Sequence, residues 1–173
     1  MRHLLRGLPV IALLLGTAAC PGEAVNLGAP APELAGIDGW INSPPLTMDA
    51  LRGKVVLVNF WTFGCSNCRN TLSTVKRWHE KYRDRGLVVL SVHTPELEFE
   101  RKPEAVAAAV REHGIAYPVA IDGSYATWRA FENHYWPAFY FVDKRGVIRH
   151  ARFGEGGYDD SERWIEKLLS EPL

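Results

Sequence analysis

Two short runs, Val55-Val56-Leu57-Val58-Asn59-Phe60 and Leu87-Val88-Val89-Leu90-Ser91-Val92, are almost entirely apolar and rich in β-branched residues. Strands of that composition are covered on both faces, as in a parallel sheet enclosed by helices. Between them Leu72, Val75, Trp78 and Tyr82 recur at spacings of three and four, which places one apolar stripe on a helix over 66–83, and Gly86 follows as a stop. Parallel neighbours need a crossover of this kind, and the crossover is right-handed. The chain is therefore expected to form an α/β domain whose central strand is 55–60.

The remaining pattern extends that sheet. Pro103 to His113 reads as a helix with Pro in its first turn and Gly114 beyond its end, and 117–121 reads as a strand. Residues 124–134 are expected to be helical. Ala138 to Val142 and Val147 to Phe153 flank the turn Asp143-Lys144-Arg145-Gly146, which predicts an antiparallel hairpin. Asp159, followed three residues later by Glu162, reads as a capping box for a last helix carrying Trp164, Ile165, Leu168 and Leu169. No internal repeat and no second domain is legible, and 173 residues suit one domain plus a tail.

The N-terminus reads as a targeting signal (1–19): Arg2 and Arg6 precede an apolar stretch from Leu8 to Leu15, and small residues lead to Cys20. A spanning helix needs about 20 apolar residues, so this stretch is too short to be one. Small residues before a cysteine resemble a bacterial lipoprotein signal, in which Cys20 becomes a lipidated first residue; ordinary cleavage after Ala19 or Ala24 is the alternative. Either fate places the protein outside the cytoplasm, in a bacterial periplasm or cell envelope, with membrane contact only through a lipid on Cys20. Residues 20–33, rich in Pro, Gly and Ala, read as a flexible tether, and 34–173 as the folded domain. The 20 basic and 20 acidic residues balance without a basic cluster, so nucleic acid is not an expected partner.

Cys65-Ser66-Asn67-Cys68 falls where the first central strand gives way to a helix. A thiolate there faces unpaired backbone N–H groups and the positive end of the helix dipole. The spacing puts both sulfurs on one side of the first turn, where a local disulfide can form and break. Cys65 is assigned as nucleophile and Cys68 as the cysteine that resolves the mixed disulfide. No metal is expected: zinc usually takes four ligands, there is no second cysteine pair, and His79, His93, His113, His134 and His150 are scattered without ligand spacing. An inert structural disulfide is the other alternative, but so short a loop gains little from closure. Downstream, Trp136-Pro137-Ala138 opens the hairpin strand. Pro137 there is either a simple strand start or a cis peptide that frees backbone beside the cysteines for an extended substrate.

The segment from Lys54 to Cys68 resembles the active-site region of thioredoxin-like proteins of the TlpA, ResA and DipZ group. Gly39-Trp40-Ile41-Asn42-Ser43, Val92-His93-Thr94-Pro95-Glu96, Tyr117-Pro118-Val119, Tyr135-Trp136-Pro137-Ala138 and Gly154-Glu155-Gly156 extend the likeness across the domain, nearest to the extracytoplasmic domain of DipZ-type proteins. The resemblance implies a thioredoxin-like fold: a central mixed sheet flanked by helices, with a helix-strand unit inserted over 95–121. It implies a cis Pro137 facing the cysteines, and Trp61, Trp136 and Pro137 as substrate-binding positions, with core packing as the other role open to Trp61. It also implies a thiol-disulfide oxidoreductase that needs no cofactor beyond its redox-active disulfide. Its expected partners are disulfides of exported proteins, and a separate membrane electron carrier of the CcdA or DsbD kind, which DipZ-type proteins carry fused.

Three positions depart from the group. Asn59 stands where many thioredoxins bury an aspartate, Thr71 where ResA-like proteins have a glutamate, and Ser73 where a helix-kinking proline is common. Glu96 and Glu98 are the nearest carboxylates in sequence, read here as solvated, and His93 is read as packing or loop. Thr62, three residues before Cys65, raises the alternative of a peroxidase, but Val58 occupies the position of the proline in that motif. A binding module without redox turnover is the third reading.

Overall fold

The structure is a computed structural model that describes residues 27–173. The expected signal, the proposed cleavage sites and Cys20 lie outside the described residues. Six strands form one sheet in the order β1-β4-β3-β2-β5-β6. They are β1 (Gly39–Ile41), β2 (Val55–Trp61), β3 (Leu87–His93), β4 (Val119–Ile121), β5 (Ala138–Val142) and β6 (Ile148–Phe153). The helices are α1 (Ser66–Tyr82), α2 (Pro103–Glu112), α3 (Ala126–Ala130) and α4 (Tyr158–Ser170).

Strand β2 holds the centre because all seven of its side chains are buried. It runs parallel to β3, from Val55 opposite Leu87 to Trp61 opposite His93, and antiparallel to β5, with Phe60 opposite Ala138. Alternation along the strand splits the core in two. Val55, Leu57 and Trp61 join Val75, Trp78 and Tyr82 of α1, Val106 and Val110 of α2, and Ile165 and Leu168 of α4 on one face. Val56, Val58 and Phe60 join Trp128, Phe131 and Tyr140 on the other. The mixed sheet and the inserted α2-β4 unit are as the resemblance implied.

Several expectations shift. The helix expected over 124–134 shrinks to α3, because Tyr125 (φ 60) and Glu132 (φ 49) adopt left-handed backbone on either side of it. Its aromatics pack on Phe60 without a continuous helix, Trp128 and Phe131 meeting that ring edge-on. Helix α4 begins at Tyr158 after Gly157 (φ 63) with no side-chain cap, so Asp159 lies inside the first turn and no capping box forms. Strand 117–121 shortens to β4, and β1 has no counterpart in the sequence reading. Ordered contacts also begin before Leu34. Gly28 N–H donates to Ile148 O at 2.8 Å, Ala31 N–H to Gly146 O at 2.8 Å, and the Glu33 carboxylate accepts from the amides of Met48 (2.9 Å) and Asp49 (2.8 Å).

Helix α4 is clasped to α1 by two carboxylates, Glu162 and Glu166, the latter accepting from Tyr82 Oη at 2.7 Å. Glu162 accepts from Lys81 Nζ (2.7 Å), Tyr82 Oη (2.7 Å) and Trp78 Nε1 (3.2 Å). Lys81 above all, then the Tyr82 and Trp78 donors, overcome partial burial and hold the Glu162 carboxyl down to about 2. A carboxylate whose pKa is depressed on folding adds stability at neutral pH, which is lost as pH falls through the range between the unfolded and folded values. The stability of the wild-type domain is therefore expected to fall between about pH 4.5 and pH 2. In Glu162→Gln that part of the acid dependence should disappear, with lower stability at pH 7, as read by denaturant titration across pH.

Candidate active site

The site is built where β2 ends. Trp61 is its last residue, Thr62-Phe63-Gly64 carries the chain out of the sheet, and Cys65 becomes the N-cap of α1 with extended backbone (φ −73, ψ 118). N-caps are commonly oxygen-bearing side chains. Here sulfur fills the role, since Cys65 Sγ accepts from the Cys68 amide at 3.2 Å. Both cysteines are free thiols, with their sulfurs 2.6 Å apart. They differ in access: Cys65 is partly exposed, whereas Cys68 is fully covered. Burial, reinforced by the bond to Cys65, pushes the Cys68 thiol far up, and the Thr62 amide acts weakly against that.

The turn is fixed from two sides. Arg69, one helical turn on, donates from Nη1 to the carbonyls of Phe63 (2.8 Å) and Gly64 (2.9 Å). On the other side the Gly64 amide donates to Glu100 Oε1 at 2.7 Å. Glu100 lies on the 3₁₀ turn Glu98–Arg101 and is buried, while its apolar neighbours Leu97 and Phe99 are exposed. That inversion of the usual pattern hides it from a hydropathy reading, and the sequence analysis passed over it for Glu96 and Glu98. Those two are exposed, Glu98 pairing with Arg101 at 3.0 Å. Burial alone would raise the Glu100 carboxyl, but bonds from the Thr62 hydroxyl and the amides of Leu97, Glu96 and Gly64 outweigh it and hold the group below the ordinary carboxylate range.

His93, read as packing or loop, is a packed residue at the end of β3. Its ring stacks on Phe63 and meets Trp61 edge-on, and Nε2 lies 3.2 Å from Thr62 Oγ1. Burial lowers its pKa to about 4, so the imidazole is neutral at pH 7.

Trp61, expected to touch substrate, is fully buried in the core cluster that contains Cys68. Its side chain follows the inward register of Val55 and Leu57, so it supports the cysteines from beneath and offers no face to a substrate. The Trp136-Pro137 peptide is cis, and Ala138 next to it pairs with Phe60 of β2, which puts this junction at the cysteine end of the sheet. Pro137 is buried; Trp136 is partly exposed, packs against the same cluster as Cys65, and donates Nε1–H to Thr94 O at 3.0 Å. Among the described residues no cluster of histidine, cysteine and carboxylate side chains could hold a metal ion, and no helix is long and apolar enough to cross a membrane.

A model of the AhpC/TSA family matches residues 27–151. The chain belongs to that family. It is 46% identical over 144 residues to protein DipZ of Mycobacterium tuberculosis, a match covering 82% of this chain and 21% of DipZ. It is 33% identical over 147 residues to the thiol-disulfide oxidoreductase YkuV of Bacillus subtilis, covering 85% of this chain and 99% of YkuV. Among solved structures, a thioredoxin-like protein in its oxidised form superposes with a TM-score of 0.77 at 35% identity, covering 86% of this chain and 99% of that one. The thioredoxin-like fold and the kinship with DipZ-type proteins are thus as the resemblance implied.

Asn59 is a neutral member of this AhpC/TSA-family site. Its Nδ2 donates to the carbonyls of Phe60 (3.3 Å) and Ala138 (3.4 Å), and its Oδ1 accepts from Ser91 Oγ at 3.3 Å. Asn59→Asp would turn an acceptor-only carboxylate towards two carbonyl oxygens in a fully buried position. The new carboxyl should stay protonated in the folded state, with its pKa raised above the unfolded value. The variant is therefore expected to lose about 1–3 kcal/mol at pH 7. Because the folded pKa is raised, the deficit should grow as pH rises above about 4, which denaturant titrations at pH 4 and pH 7 would check.

Proposed function

We propose that this AhpC/TSA-family protein is a thiol-disulfide oxidoreductase that reduces disulfides of exported proteins. The observation that carries this reading is the pairing of a partly exposed Cys65 at the head of α1 with a buried Cys68 whose sulfur lies 2.6 Å behind it. An incoming disulfide can reach only the first of the two. Cys65, as thiolate, attacks one substrate sulfur, forming a mixed disulfide and releasing the other substrate sulfur as a thiolate. Cys68 then gives up its proton and attacks Cys65 Sγ, which expels the second substrate sulfur and closes the Cys65–Cys68 disulfide. Two electrons and two protons pass from the dithiol to the substrate, and no cofactor is needed. Return to the dithiol requires a two-electron thiol donor, for which a membrane carrier of the CcdA or DsbD kind fits the DipZ relationship. Trp136 and the backbone at Pro137 supply the wall against which an extended substrate lies.

The basic, apolar N-terminal stretch supports export to the periplasm or cell envelope, with Cys20 as the point of a lipid anchor. The peroxidase alternative is disfavoured by Thr62, whose buried hydroxyl is engaged with His93 and Glu100 beneath the turn. The reducing direction is supported by Ser66-Asn67, which brings no cation or imidazole to stabilise a thiolate. Strongly oxidising pairs owe their potential to such stabilisation.

Wild-type protein is expected to catalyse reduction of insulin by dithiothreitol, and Cys65→Ser to reduce that rate to background with the fold intact by circular dichroism. Full activity in Cys65→Ser would reverse the order of the two cysteines. Cys68→Ser should accumulate mixed disulfides through Cys65. Equilibration with glutathione, followed by thiol trapping, should give a potential nearer to about −270 mV than to about −120 mV; a value at the upper end would mean that the protein makes disulfides.

A further inference from the structure

Glu100 carries a buried carboxylate that the exchange steps do not use. Far from the cysteines in sequence, it reaches the amide of Gly64, the residue immediately before Cys65. Its Oε1 accepts from Gly64 N–H at 2.7 Å, and its Oε2 from Glu96 N–H and Leu97 N–H, both at 2.7 Å. The Thr62 hydroxyl adds a fourth donor, and Thr62 Oγ1 meets His93 Nε2 at 3.2 Å. A carboxylate has about four lone-pair sites, so the set is saturated. All four partners are neutral dipoles, which means that the charge is solvated by the protein without being cancelled by a cation.

Gly64 fits this contact. Its backbone is not left-handed, so no conformational need calls for glycine there. The need is space: a Cβ at position 64 would run into Glu100 Oε1, with Phe99 Cζ also within 3.2 Å. The turn that presents Cys65 and the carboxylate beneath it are therefore shaped to each other.

An uncancelled negative charge at that place acts on the redox couple. The disulfide form of the pair carries no charge, while the reduced form supplies the thiolate. Fixed negative charge beside the head of α1 opposes the positive end of the helix and disfavours the reduced form relative to the disulfide. The pair then gives up its two electrons more readily. We infer that Glu100 is a positioning residue for the Cys65/Cys68 pair, clamping the Gly64 amide under the Cys65 turn and biasing the pair towards the disulfide, so that the dithiol is the stronger reductant. This inference rests on the oxidoreductase reading above.

The test compares wild type and Glu100→Gln after equilibration with glutathione, with trapped thiols quantified and folding checked by thermal melting. Gln cannot accept at Gly64 and at the Glu96 and Leu97 amides together, and it carries no charge. The equilibrium constant for reduction of the pair is expected to rise about tenfold, equivalent to about 30 mV towards the oxidising side. A folded Glu100→Gln with a constant within twofold of wild type would overturn the inference. A purely structural role would lower the melting temperature and leave the constant unchanged, which counts as the same refutation. Should Glu100→Gln not fold, Gly64→Ala pushes the carboxylate off the turn from the other side. That variant should shift the constant several-fold in the same direction, and no shift would again overturn the inference. A wild-type protein unable to exchange with insulin or glutathione would instead overturn the oxidoreductase reading itself.

Discussion

The backbone leaving β2 has to be satisfied away from water, and most of the active site follows from how that is done. Every side chain of β2 is buried, so the chain emerges at Trp61 into a region where unpaired N–H and C=O groups are costly. Trp61 O accepts from Thr94 N–H at 3.1 Å, the carbonyls of Phe63 and Gly64 take Arg69, and the Gly64 amide takes Glu100. In the first turn of α1 the Cys68 amide is taken by Cys65 Sγ. Cys65, the proposed nucleophile, is thus also a helix cap, and its position is set by a chain of backbone bonds reaching to β3 and to the inserted segment after it.

The same junction explains why two cysteines three residues apart live in different environments. At the N-cap, Cys65 precedes the helix and points past its first turn, so it stays partly exposed. Cys68 is inside the helix on the stripe that continues through Leu72 and Val75, which faces the core. Thr71, beside it, turns its hydroxyl back to Cys68 O at 2.7 Å and adds no charge. Cys68 is therefore held as a neutral thiol by burial, a state suited to waiting until a mixed disulfide forms on Cys65. Its partner in that wait is the Thr62 amide, from the same turn that Glu100 supports.

What could be read from the sequence was whatever repeats with the period of an element. The runs at 55–60 and 87–92 are buried on both faces and announce themselves by composition; the stripe on α1 does so by spacing. The cysteine pair was legible because its place between those two elements gives it a definite environment. The short α3 was not, since Trp128 and Phe131 are drawn to Phe60, and Tyr125 to Trp128, by aromatic packing that imposes no helical period. For Trp61 the sequence leaves two roles open, because a tryptophan beside the cysteine turn reads equally well as wall or as floor, and the strand register places it as floor. Glu100 was missed because Leu97 and Phe99 around it are exposed and the glutamate is buried, the reverse of what hydrophobicity suggests. Its recognition needs the three-dimensional proximity of Gly64.

Two charges of opposite sign hold the Cys65 turn from different surroundings. Arg69 grips the carbonyls of Phe63 and Gly64 from an exposed position, where water and salt screen its field at the sulfur. Glu100 grips the Gly64 amide from a fully buried position, where screening is weak. On the inference drawn above, equal formal charges in unequal dielectric surroundings leave the carboxylate with the larger effect on the pair. The head of α1 and Glu100 present opposite electrostatic signs to the pair, while the sequence between the cysteines adds no charge to tip the balance. In the proposed reductase such a pair is a donor of electrons because its reduced form receives little help, and Glu100, which withholds it, also clamps the turn that carries Cys65.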